Sequence, residues 1–292
     1  MIATDRYDEF LGWRPLPNLD LVIKGARLTT NAQGLRAAVD LERSSSPGVR
    51  RVLVLGDSFT FGEDVADDEA WPAVLDRRLP NADVLNLGVH GYGHDQMLLR
   101  LRREGLNLRP DVVLLGFVGV DLTRNRLDFR DAAKPLFVLR HGSLILESDR
   151  VPTRDEVLAR EFSRLALADL VSLATFRWRR ATGTERQHVE ALGRALLETI
   201  ASEAATAGAR PVFLYLPASA DLANLGEESP DERFFSAACR SIGEREPRLT
   251  CGSARAAFAT AVARGERLEP GRHWGPAGHR AAAEAAAQLL VE

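Results

Sequence analysis

Short apolar runs recur along the chain, each closed by a turn-forming residue. Arg51-Val-Leu-Val-Leu-Gly56 is the sharpest, a β-branched-rich run ending in glycine, as expected of a strand buried on both faces. Ala82–Gly88, Asp111–Val118 and Arg210–Pro217 repeat the pattern, and a weaker fifth run lies at Arg248–Cys251. Between them the spacing of apolar positions changes to the helical period, over Trp71–Leu79, Asp95–Glu104, Glu185–Thr206 and Asp231–Glu244. Strands that alternate with helices predict a parallel five-stranded sheet inside a three-layer α/β/α sandwich. Ligands of such sheets bind beyond the carboxyl ends of the strands.

Two stretches break the alternation. Residues 1–48 are mixed and end in Ser44-Ser-Ser-Pro-Gly48, so they are expected to form an N-terminal flap packed on a core of 49–292. Residues 122–184 form an insertion whose runs Pro135–Leu139 and Ser143–Leu146 predict a hairpin, followed by a helix from Arg154 to about Leu173. An insertion at this edge often shapes a substrate pocket.

Composition narrows the classes. The 292 residues carry 38 basic and 41 acidic side chains, a formal charge of -3, which offers no basic excess for nucleic acid. Met1–Phe10 carries Asp5, Asp8 and Glu9 with no apolar core of signal-peptide length, and no run reaches the length of a membrane helix, so a cytoplasmic protein without a membrane span is expected. Cys239 and Cys251 lack metal-ligand spacing and are expected as two structural thiols. The histidines lack the paired spacing of a zinc motif, and no cofactor is expected.

Four blocks carry candidate chemistry, each after a strand or before the last helix. Gly56-Asp57-Ser58-Phe59-Thr60 ends the sharpest strand and reads either as a helix-capping Asp-Ser turn or as a nucleophile at the sheet edge. Asn86-Leu-Gly88-Val-His90-Gly-Tyr-Gly93 is a flexible loop or a set of oxyanion donors. Gly116–Asn125 follows the third strand. His273-Trp-Gly-Pro-Ala-Gly-His279 places His273 just before a helix that starts with proline. Ester hydrolysis needs a nucleophilic hydroxyl, a base and donors for the oxyanion, and the chain offers them in that order. The lack of a Gly-x-Ser-x-Gly elbow argues against the α/β-hydrolase fold.

Over residues 50–290 these blocks resemble the SGNH (GDSL-type) hydrolases. Thr29–Arg36 is similar to the segment before the core in bacterial members linked to surface polysaccharide or acyl-group handling. The resemblance implies the flavodoxin-like fold, Ser58 as nucleophile, His273 as general base, and the N–H groups of Gly88 and Ser58 as oxyanion donors. Asp57, Asp121 and Asn125 would support the site, and His90 and Trp274 would meet the substrate, a small-molecule or glycan acyl ester.

Two positions depart from the family pattern. The oxyanion asparagine of the third block is Val120, with Asn125 one helical turn further on. The acid expected shortly before the histidine is absent at Pro270, Gly271 and Arg272, which leaves Glu269 as the nearest carboxylate. His90 and His94 are extra candidates for a rebuilt site. The expectation is a serine esterase or deacylase; an acyltransferase on the same machinery and a catalytically reduced ligand-binding protein are the alternatives.

Overall fold

A computed structural model describes residues 4–37, 40, 47–163, 175, 177–178, 182–268 and 272–291. It opens with two antiparallel hairpins, β1 (Asp5–Asp8) with β2 (Gly12–Pro15) and β3 (Asp20–Ile23) with β4 (Ala26–Thr29). The core then alternates: β5 (Arg50–Leu55), α1 (Ser58–Phe61), α2 (Trp71–Arg78), β6 (Ala82–Asn86), α3 (His94–Arg100), β7 (Val112–Phe117) and α4 (Val120–Arg124). A hairpin of β8 (Phe137–Arg140) and β9 (Ser143–Leu146) follows, then α5 (Arg154–Ser163) and α6 (Thr184–Thr206). The chain closes with β10 (Arg210–Tyr215), α7 (Ser219–Leu222), α8 (Pro230–Gly243), β11 (Thr250–Ser253), α9 (Arg255–Ala263) and α10 (Pro276–Val291).

The five core strands pair in parallel in the order β11-β10-β7-β5-β6, the doubly wound arrangement expected. Successive strand residues face opposite sides, so each strand feeds two cores. Leu53 and Leu55 pack with Val113, Leu115 and Phe213 under α3, α6 and α8. Val52 and Val54 pack with Val112, Leu114 and Val212 under α2, α9 and α10. Burial on both faces is why these strands read as continuous apolar runs. The connection reverses direction between β5 and β7, and the crevice outside their carboxyl ends is the expected ligand site of such a sheet.

Several boundaries differ from expectation. The fifth strand begins at Thr250, two residues past the start of the run at Arg248, because an edge strand with few apolar residues is placed by its partner β10. The helix after β6 ends at Arg100 and runs on through a π turn, Leu101–Gly105, and a 3₁₀ turn, Leu106–Leu108. The expected helix after Arg154 is described to Ser163, and its remainder lies outside the described residues. The two cysteines are not free thiols: Cys239 on α8 and Cys251 on β11 form a disulfide across a Cα separation of 6.3 Å. The packing of α8 beside β11 brings them together, which a sequence separation of 12 does not reveal. Among the described residues, no helix is long and apolar enough to cross a membrane.

Candidate active site

The site grows from the end of β5. Asp57 caps α1 through Oδ1, which accepts from the Phe59 N–H at 2.9 Å, so the helix starts at Ser58. A Cβ on Gly56 would lie 2.0 Å from Thr60 Oγ1, so only glycine lets α1 fold back this tightly on the strand. The helix ends after one turn because Gly62 takes a left-handed conformation, φ 87°. The chain then turns through Glu63 and Asp64, and Asp64 is itself left-handed at φ 70°.

The Gly62–Val65 turn is held from below by the N-terminal segment. The buried guanidinium of Arg36 donates to the carbonyls of Phe61 (2.9 Å), Gly62 and Val65 (2.5 Å), and Nε bonds Asp67 at 2.9 Å. These carbonyls leave the end of α1 without helical partners, and Arg36 satisfies them. Lys24, in the β3–β4 turn, donates to Asp64 Oδ1 at 2.6 Å.

Into this frame the loop before α10 brings His273. Its Nε2 lies 3.0 Å from Ser58 Oγ and its Nδ1 3.2 Å from Asp64 Oδ2. An ionised carboxylate only accepts, so Nδ1 carries the ring proton and the bare Nε2 accepts from the Ser58 hydroxyl. Burial opposes the charge on Asp64, but hydrogen bonds from Lys24 and His273 outweigh it and hold the carboxyl below its ordinary range. Ser58, His273 and Asp64 form a hydroxyl–imidazole–carboxylate relay.

Glu63 stands on the other side of the imidazole. Its Oε2 lies 3.0 Å from His90 Nδ1 and 3.7 Å from His273 Nε2. Burial opposes its charge too, and the hydrogen bond from His90 with the nearby imidazoles leaves its pKa below the usual value. His90 is fixed by its carbonyl, which accepts from Trp13 Nε1 at 2.8 Å, and by packing of its ring on Phe61.

The other expected residues have different fates. Gly88 sits beside α1, and its N–H donates to Asn86 Oδ1 at 2.9 Å. Asp57 Oδ2 and Asp121 Oδ1 share Arg124 Nη1, at 2.8 and 2.5 Å. Asp121 is fully buried, and burial with the adjacent Asp57 pushes its pKa well up despite Arg124. Asn125 is committed elsewhere: Oδ1 accepts from the His94 N–H at 2.7 Å and Nδ2 lies 3.1 Å from the His94 ring. His94 and Asn125 are fully buried, so neither meets the cleft. Trp274, expected at the substrate, is wholly buried instead; its indole N–H donates to Pro217 O and its rings pack on Phe59 and Phe258. Glu269, Pro270 and Gly271 lie outside the described residues. Val120 is 48% exposed and lines the cleft where the family pattern has its asparagine.

The sequence reading missed Asp64, Glu63, Arg36 and Lys24. The family pattern places the acid just before the histidine, whereas here it stands 209 residues away in sequence. The available signal was the acidic pair just after Gly62, six positions beyond Ser58 or less.

Ser58, Glu63, His90 and His273 open on a cleft of about 1210 Å³. Three ion pairs line it, Arg126 with Glu185, Arg130 with Asp131 and Arg186 with Asp231, beside the apolar Val120, Leu122 and Val189. The cleft therefore presents charges of both signs interspersed with apolar side chains.

Ser58 thus stands at the switch point of the sheet, just past the carboxyl end of β5. Residues 54–281 match the GDSL-like Lipase/Acylhydrolase family, and the chain belongs to that family. No curated protein matches the chain. Among solved structures, TesA is 15% identical over 82% of this chain and 98% of its own, with a TM-score of 0.50. A lipolytic protein of the G-D-S-L family from Veillonella parvula DSM 2008 is 14% identical over 84% and 100%, also at 0.50. At such identities the likeness is one of fold.

Proposed function

We propose that this protein is a serine esterase that removes an O-acyl group from a polar alcohol, such as a glycan. The observation that carries the reading is the Ser58–His273–Asp64 relay, whose serine and histidine line the cleft. Ser58 Oγ attacks the ester carbonyl carbon while His273 Nε2 takes its proton, and Asp64 holds the ring and stabilises the imidazolium. As the first residue of α1, Ser58 has an N–H with no intrahelical partner, which suits it to meet the developing oxyanion. His273 then returns the proton to the leaving alcohol. The ion pairs that line the cleft suit a hydroxyl-rich alcohol, which can hydrogen-bond to them.

An acyltransferase would use the same relay, with an alcohol in place of water. The assembled relay weighs against a catalytically reduced binding protein. The Cys239–Cys251 disulfide favours an oxidising compartment over the cytoplasm expected from sequence. The test is p-nitrophenyl acetate turnover together with fluorophosphonate labelling, in the wild type and Ser58→Ala. Expected is Ser58-dependent turnover and a single adduct on Ser58; equal background rates and no adduct would remove the esterase reading.

A further inference from the structure

The relay uses one carboxylate of the Gly62–Val65 turn and leaves the other unexplained. Glu63 faces the cleft, and His90 Nδ1 clamps its Oε2 at 3.0 Å. That same oxygen is 3.7 Å from His273 Nε2. Nε2 takes the Ser58 proton during acylation and must take the acceptor's proton during deacylation. Two acceptors 3.7 Å apart leave room for one oxygen at about 2.8 Å from each, which is hydrogen-bond distance. Water has two protons to give to such a pair; a monohydric alcohol has one.

We propose, building on the esterase reading, that Glu63 positions the deacylating water and so commits the acyl-enzyme to hydrolysis over transfer to simple alcohols. In this step the water oxygen bonds to the acyl carbon, one proton passes to His273 Nε2, and the other stays hydrogen-bonded to Glu63 Oε2. The bond from carbon to Ser58 Oγ then breaks. Ser58 Oγ recovers the proton from His273, and the carboxylic acid leaves. The hydrogen bond of Glu63 to His90 keeps the carboxylate in place and ionised, so it remains an acceptor throughout.

Glu63→Gln keeps the shape of the side chain but replaces one acceptor oxygen with a donor. His90→Gln is the second variant, loosening Glu63 without touching it. Stopped-flow release of p-nitrophenolate from p-nitrophenyl acetate separates acylation, read as a burst, from deacylation, read as the steady state. Ethanol in the same reaction measures how the acyl group divides between water and alcohol.

Expected for Glu63→Gln is a burst near one equivalent, a steady-state rate at least about tenfold lower, and a larger share of ethyl acetate. His90→Gln should show the same signature more weakly, and intact-mass measurement should find the acetyl group on Ser58. A variant that slows burst and steady state equally, or divides the acyl group as the wild type does, overturns the assignment of Glu63 alone. Should Glu63→Gln not fold, an unaltered division of the acyl group in folded His90→Gln has the same force. A wild type whose p-nitrophenolate release is unchanged by Ser58→Ala overturns the esterase reading and this assignment with it.

Discussion

Replacing Asp64 by asparagine exchanges one oxygen for an NH₂ group and tests the relay at its least expected member. Lys24 donates to Oδ1, so in the variant the carboxamide oxygen stays with Lys24 and the NH₂ turns toward His273 Nδ1. A donor there forces the ring proton onto Nε2, where it blocks the uptake of the Ser58 proton. In serine proteases the equivalent change costs about 10⁴ in turnover. Asp64 is 21% exposed on its side chain, which tempers the effect, so a loss of about 10³ in kcat/KM is expected, or about 4 kcal/mol. Asp64→Ala removes the orientation without enforcing the wrong tautomer and should lose less, about 10². Lys24→Met in the Asp64→Asn background frees the amide to turn over and should recover about tenfold. By itself Lys24→Met should cost little, since that lysine is 70% exposed. The assay is p-nitrophenyl acetate hydrolysis at pH 8, with thermal unfolding to confirm that each variant is folded. Asp64→Asn within threefold of wild type would refute the reasoning. Equal losses for Asn and Ala, indifferent to Lys24, would refute the tautomer argument.

Two further outcomes follow from the buried groups and the altered oxyanion wall. Val120→Asn places a donor on an exposed cleft position, and kcat/KM should rise by about tenfold or more; no change would mean that another group already fills that place. His94 and His279 are buried and neutral, with pKa lowered to about 3 by desolvation first and by nearby Arg124 and Arg36 second. Their contribution is complete above the unfolded value near 6.5 and is lost as pH falls toward 3. At pH 5 each costs about 2 kcal/mol relative to pH 8, a figure that hardly depends on how far below 4 the folded pKa lies. Buried Asp121, with its pKa raised, acts in the opposite sense in both proteins, so the comparison isolates the histidine: His279→Gln should lose about 2 kcal/mol less than wild type between the two pH values in urea unfolding. An unchanged pH dependence in that variant would count against a neutral buried imidazole.

The order of the elements, the strand-end position of Ser58 and the placing of His273 before the last helix were all legible in the sequence. Each depends on local features: continuous apolar runs, a capping aspartate, a glycine where Thr60 folds back on the strand, a proline at a helix start. The identity of the acid behind His273 was not legible. Asp64 and His273 are 209 positions apart. They meet because the turn after a one-turn helix has left-handed residues at Gly62 and Asp64, and Arg36 and Lys24, from outside the core, hold that turn. The same holds for the disulfide, for the burial of Trp274 and for the commitment of Asn125 to His94. In each, the partner is fixed by how elements pack against one another, which the apolar pattern along the chain does not specify. Sequence determined where Ser58 and His273 stand; tertiary structure decided that Asp64 lies behind His273 and that a second carboxylate, Glu63, faces the cleft.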